Sequence, residues 1–267
     1  MLLAIFALVA MASPASARPR DTVNKSGEIL TQEEIDSARA EAEAEYAKIP
    51  KAPADAEPLP PGPAIIQEVY PSESRFLDVP THRQQTGYWC GPASILAMID
   101  DFGRLGNVSG STEQAKQQTI ATQSGTTTQG SYTPSLQQTL NSYVRDVRTY
   151  QVGTVDSYSG DYNYFWNICY DRIISAGTPI CVLVKTSYLP YYGGTAYYHY
   201  VVVDGMTVWR NDFNGQIERS ISTVRIVDPH YSDSYFGYHT VLWTDLLNAA
   251  AGYYIPPVDC QAFNLIW

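Results

Sequence analysis

The stretch RQQTGYWCGPASILAMIDDFG, from Arg83 to Gly103, decides how the rest of the chain is read. It puts Cys90 at the start of a helix whose apolar residues Ile95, Met98, Ile99 and Phe102 share one face. Pro92 suits the first turn, where a missing N–H costs nothing, and Gly103 is the predicted C-cap. A sulfur at a helix start meets unpaired backbone N–H groups and the positive end of the helix dipole. Both favour the thiolate, so Cys90 is a candidate nucleophile. A buried structural cysteine is the other reading of the same position.

Outward from this helix the pattern is helices first and strands after. IIQEVY and RFLDVP read as short extended pieces that open the globular part near Ile65. A second helix is predicted from a Ser111 cap to about Thr122, and a third from a Thr133 cap with Pro134 at its first position. A fourth spans about Asp161–Ala176, stopped by Gly177 and Pro179. PICVLVK then reads as a buried strand. YYHYVVVDGMTVW reads as two strands about an Asp204-Gly205 turn, and STVRIVDP and GYHTVLW as further strands. A short helix over Thr244–Ala250 and the segment GYYIP close the domain. The predicted class is α+β, with N-terminal helices packed on a C-terminal antiparallel sheet.

At 267 residues and 45% hydrophobic content, the chain suits one larger domain with an extension. Its formal charge of −10 argues against a nucleic-acid partner. Residues 1–17, MLLAIFALVAMASPASA, have the shape of a secretory signal with a small-residue cleavage site after Ala17. The expectation is an exported protein, secreted or held at the cell envelope, with no stable membrane span once the signal is removed. Residues 18–65 are acidic and then proline-rich. Within them Thr31 and Glu34 form a capping box, Leu30 and Ile35 a hydrophobic staple, and Ala38, Ala42, Tyr46 and Ile49 a narrow apolar stripe. This segment reads as a solvated spacer, or else as a propeptide docked on the catalytic domain of residues 66–267.

A thiol nucleophile needs a base, an orienter for the base and an oxyanion donor. Four histidines are on offer. His82 reads as a surface loop residue, His230 follows the Asp228-Pro229 turn, and His239 lies within GYHTVLW. His199 sits at the mouth of the strand YVVVD beside a tyrosine- and glycine-rich loop, and is the preferred base. Asp228, at the end of the apolar strand VRIVD, is costly to bury unless paired, and holding an imidazole N–H would satisfy it. Asp204 is the rival orienter. Gln84 offers an amide N–H for an oxyanion, with Gln85 as the neighbour it is easily confused with. Trp89 and Tyr198, with Tyr191, Tyr192 and Tyr197, read equally as walls of a substrate cleft or as core. No C-x-x-C pair is present, and neither a metal nor an organic cofactor is called for.

Gln84-x5-Cys90-Gly91-Pro92-Ala93-Ser94, then His199-Tyr200-Val201-Val202-Val203, then Asp228-Pro229, resembles the C39-like peptidases of the papain-like superfamily over about residues 76–255. The resemblance implies a papain-like fold. It also implies Cys90 as nucleophile, His199 as base, Asp228 as orienter and Gln84 as oxyanion donor, acting on a peptide or protein substrate. The best-known members cut double-glycine leader peptides and are fused to a transporter. No transporter segment is read within these 267 residues, and that specificity is not expected to carry over. The same site also suits a cell-wall amidase or a transpeptidase-like acyltransferase, and the fold also suits a non-catalytic exported binding module. In an exported protein with Cys90 free, the expected count is one disulfide, Cys169–Cys260, with Cys181 left as a thiol.

Overall fold

The protein is described by a computed structural model covering residues 32–49, 69–156, 162–212, 214–252 and 263–267. The signal sequence, the capping box, the staple and Cys260 lie outside the described residues. A mixed α+β fold is built on one open antiparallel sheet. Its strands are β1 (Val69–Phe76), β2 (Val152–Gly153), β3 (Ile180–Lys185), β4 (Tyr198–Asn211), β5 (Thr223–Asp228), β6 (Gly237–Leu242) and β7 (Leu265–Ile266). The order across the sheet is β2-β7-β3-β4-β5-β6, and β1 also pairs with β4.

Both faces of the sheet are covered. On one lie α2 (Cys90–Asp101), α3 (Glu113–Gln123) and α4 (Thr133–Val144), packed on Cys181, Leu183, Tyr200 and Val202. On the other lie α5 (Tyr162–Cys169), which runs on as a π-helical segment over Tyr170–Ala176, and α6 (Trp243–Ala251), packed on Val182, Val201 and Val203. The strands β3 and β4 are apolar on both faces because both are buried, so their sequence is a continuous apolar run rather than an alternation. The predicted helical layer is thus one of two. The arrangement is not cleanly two-lobed as in papain.

The largest departure from the sequence reading is at Asp204-Gly205. Residues 198–211 form one long strand, not a hairpin. A two-residue turn of the favoured type needs both central residues at positive φ, and neither residue is there. Instead β4 changes partner at this point. Tyr198–Val203 pairs with β3 and Gly205–Asn211 with β1, while the register against β5 slips between Val203 and Gly205. Asp204 is fully buried in that bulge. It accepts from Arg225 Nε (2.9 Å) and Nη2 (2.7 Å) and from the Val79 amide (3.2 Å). Gly205 is required because a Cβ there would come within 2.3 Å of the Phe76 ring.

Breaking this buried pair is expected to be costly, since it strands a carboxylate away from water. Arg225→Met should lower the unfolding free energy by about 3 kcal/mol in urea denaturation. Asp78→Asn, which removes only the exposed partner of the same arginine, should change it by less than about 1 kcal/mol.

Helix α1 (Gln32–Tyr46) packs on the domain rather than standing free as a spacer. Ala42 is buried, the Tyr46 ring packs at a tilt against Tyr164 with centroids 4.6 Å apart, and the Tyr46 hydroxyl accepts from Asn167 Nδ2 at 3.1 Å. These contacts lie at the β2 edge of the sheet, whereas Cys90 and His199 meet on the far side of β3. Smaller corrections follow the same logic of local caps. The α3 cap is Thr112, whose hydroxyl accepts from the Ala115 amide at 3.1 Å, not Ser111. Thr133 does not cap α4; its hydroxyl is taken by the Tyr200 hydroxyl at 2.8 Å.

Candidate active site

Cys90 is the first residue of α2. The motif that follows it sets the helix against β4. Gly91 allows close packing, since a Cβ would meet Ser131 Oγ at 2.6 Å. Ser94 Oγ donates to the Tyr200 carbonyl at 3.2 Å, which ties the helix to the strand residue next to His199. At the other end of the helix the amides of Gly103 and Arg104 bond back to Asp100 (2.7 Å) and Ile99 (3.0 Å), closing it as the sequence predicted.

His199 hydrogen-bonds both Cys90 and Asp228. Its Nε2 is 2.8 Å from Asp228 Oδ1, which leaves Nδ1 for the sulfur. Asp228 is fully buried and its oxygens are fully used. Oδ1 also accepts from the His230 amide (2.8 Å), and Oδ2 accepts from the hydroxyls of Tyr191 and Tyr192 (2.9 Å each). Asp204, the rival orienter, is occupied by Arg225 instead.

The electrostatics follow from these contacts. Burial pushes the Cys90 thiol up, but the hydrogen bond and charge of His199, with the backbone N–H groups of Tyr200 and Gly91, outweigh it and hold the thiol below its ordinary value. Burial alone would lower His199. The Asp228 charge and hydrogen bond, then Cys90, raise it to about 10. Asp228 is held below the ordinary carboxylate range, burial being overcome first by the His199 charge. These shifts run in the direction of a thiolate–imidazolium pair with a carboxylate behind it.

This pair has a signature in stability against pH. Below about pH 6.5 the unfolded histidine gains a proton that the folded one already holds, so the contribution falls as pH drops. Above about pH 9 the unfolded cysteine loses a proton that the folded one has already lost, so it falls as pH rises toward 10. The difference in unfolding free energy between wild type and the double variant Cys90→Ser/His199→Gln, which has no titrating group at either position, is therefore expected to be flat between these limits and to shrink on both sides. Urea titrations across pH 5–10 measure it.

A cavity of about 140 Å³ opens over the sulfur, with Gln84, Tyr88, Tyr198 and His230 among its walls beside Cys90 and His199. Of the aromatics read as either cleft wall or core, Tyr197 and Tyr198 line the cavity, whereas Trp89 is buried at 6% exposure, edge-on to Tyr88 at 6.2 Å, and Tyr88 is among the walls. Gln84 is anchored by its amide on the Pro229 carbonyl (2.7 Å) and by Nε2 on the Thr86 carbonyl (2.7 Å). Gln85 turns away, its Nε2 on the Arg83 carbonyl at 2.8 Å. Tyr191 and Tyr192 serve the carboxylate rather than the cleft.

Of the remaining histidines, one departs from its sequence reading. His82 is buried, not at the surface, with Nδ1 on Glu113 (2.8 Å) and Nε2 on Asp100 (3.0 Å). His239 bonds the Tyr235 carbonyl at 2.7 Å. His230 is part of the site, and nothing in its sequence surroundings separated it from a turn residue. Cys169 and Cys181 are buried thiols. The expected partner of Cys169, Cys260, lies outside the described residues; among those described Cys169 is a buried thiol near Trp243, pushed up to about 12 by burial. Among the described residues no group of three or more His, Cys, Asp or Glu is placed to hold a metal ion, and no helix is long and apolar enough to cross a membrane.

An α+β domain with a buried thiol at a helix start, facing a histidine held by a carboxylate, is the class that fold and site define. A family model described as Peptidase_C39 like family matches residues 76–255, and the chain belongs to that family. No curated protein and no solved structure matches the chain.

Proposed function

We propose that the protein is a cysteine peptidase of papain-like type that hydrolyses peptide bonds through a thioester at Cys90. The observation that carries this reading is the hydrogen-bonded series Cys90–His199–Asp228 at the wall of a cavity. The Cys90 thiolate attacks the substrate carbonyl carbon. The oxyanion that develops is held by the Cys90 amide at the helix start and by the second Nε2–H of Gln84, the first being used on Thr86. The His199 imidazolium gives its proton to the departing amine. As neutral imidazole it then takes a proton from water, which attacks the thioester and releases the thiolate. Asp228 fixes the ring and stabilises its charged form.

In this reading residues 66–267 are the catalytic domain and residues 1–17 a signal that takes the protein out of the cell. Within residues 18–65, helix α1 braces the sheet edge at β2. The test is hydrolysis of a synthetic peptide mixture against purified cell-wall fragments, read by mass spectrometry. New peptide termini that require Cys90 support a peptidase. Release only from cell-wall amides would move the assignment to an amidase with the same residues.

A further inference from the structure

We propose that His230 is a substrate-binding residue of this site, donating a hydrogen bond from its ring Nε2–H to a carbonyl oxygen of the acyl substrate seated over Cys90. The proposal rests on the acyl-transfer reading above and adds the group that recognises the substrate. His230 is held rigidly against the proposed base. Its amide binds the same Asp228 oxygen that His199 binds, and the two rings lie 5.5 Å apart. Its ring is stacked on Tyr231 at 4.3 Å and set edge-on to Tyr235 at 5.0 Å.

The tautomer follows from one contact. Nδ1 accepts the Ser232 amide N–H at 3.0 Å, so in the neutral ring the proton is on Nε2. Among the described residues no hydrogen bond is formed at Nε2, and it is not one of the fully enclosed unpaired atoms: in a side chain only 5% exposed it keeps access to the cavity that His230 lines. A donor held open to the cavity beside a nucleophile can meet an acceptor that arrives with the substrate. Burial and the neighbouring His199 charge lower His230 to about 4, so its ring is neutral at neutral pH. A fixed, neutral donor with no acceptor capacity suits a carbonyl, not an ammonium. Among the described residues no lysine or arginine lines the cavity to favour a carboxylate. Without a carboxylate on its ring, His230 is not a second base.

The probe is N-acetyl-alanyl-alaninal, a peptide aldehyde that adds reversibly to a thiolate, with iodoacetamide labelling of Cys90 as the readout of occupancy. The aldehyde should protect wild-type Cys90. In His230→Phe the protecting concentration should rise about tenfold more than any change in the labelling rate itself accounts for, as expected for one lost hydrogen bond. His230→Gln, which keeps an N–H donor, should recover most of the loss. Equal protection in wild type and His230→Phe would overturn the proposal. So would a loss explained by a shifted pH midpoint of labelling, or an equal loss in His230→Gln, because the residue would then act through His199 or through packing. An aldehyde that fails to protect wild type, with Cys90 still labelled fast at pH 6, would overturn the acyl-substrate reading and this proposal with it.

Discussion

Cys90→Ala is expected to lower peptide hydrolysis by roughly ten-thousandfold or more while the protein stays folded. The loss is large because the sulfur is the atom that bonds to the substrate. The residual rate would come from binding and the oxyanion donors alone. The fold should survive because the α2 anchor does not depend on the thiol: Ser94 bonds the Tyr200 carbonyl and Gly91 packs against Ser131 whatever stands at position 90. Circular dichroism and urea denaturation check the fold, and mass spectrometry of a peptide digest checks the activity. Retained hydrolysis in this variant would remove the thioester route.

Asp228→Ala is expected to combine a fall in activity of roughly a hundredfold or more with a stability loss of roughly 3 kcal/mol or more. Its two oxygens serve four donors: the His199 ring, the His230 amide and the hydroxyls of Tyr191 and Tyr192. Alanine leaves them without an acceptor in a buried place, and each stranded donor costs about 1–3 kcal/mol. Asp228→Asn separates geometry from charge. Its carbonyl can still accept from His199 and His230, and its amide can donate to the tyrosine hydroxyls, which turn to accept. The expected result is a nearly normal unfolding free energy with a lower His199 pKa and a smaller thiolate fraction at neutral pH. An Asn variant as unstable as the Ala variant would mean that the charge, not the hydrogen bonding, holds this part of the fold.

Local signals in the sequence located what local physics decides. The apolar face of Ile95, Met98 and Ile99 marked α2, and the ends of the apolar strands placed His199 and Asp228 at one site. Asp204-Gly205 shows where that logic fails. A short pair of turn residues is indistinguishable in sequence from a bulge where a long strand changes partners, and the deciding contact, Arg225, lies 21 residues away. The two-residue strands β2 and β7 are set by pairing at the sheet edge, for which their own residues carry no periodicity. Tyr191, Tyr192 and His230 were legible as aromatic or turn residues only. Their roles follow from a single carboxylate that the fold brings to them. The α1 stripe was visible, but the Tyr46–Tyr164 contact that docks it was not.

The most direct measurement is the rate of Cys90 labelling by iodoacetamide at pH 6, by peptide mapping, in wild type and His199→Ala. An ordinary thiol, with a pKa of about 8.5, reacts little at that pH. Fast labelling in wild type that is lost in His199→Ala is the expected result and would demonstrate the thiolate–imidazolium pair. Slow labelling, equal in the two proteins, would contradict it and leave Cys90 a buried structural cysteine.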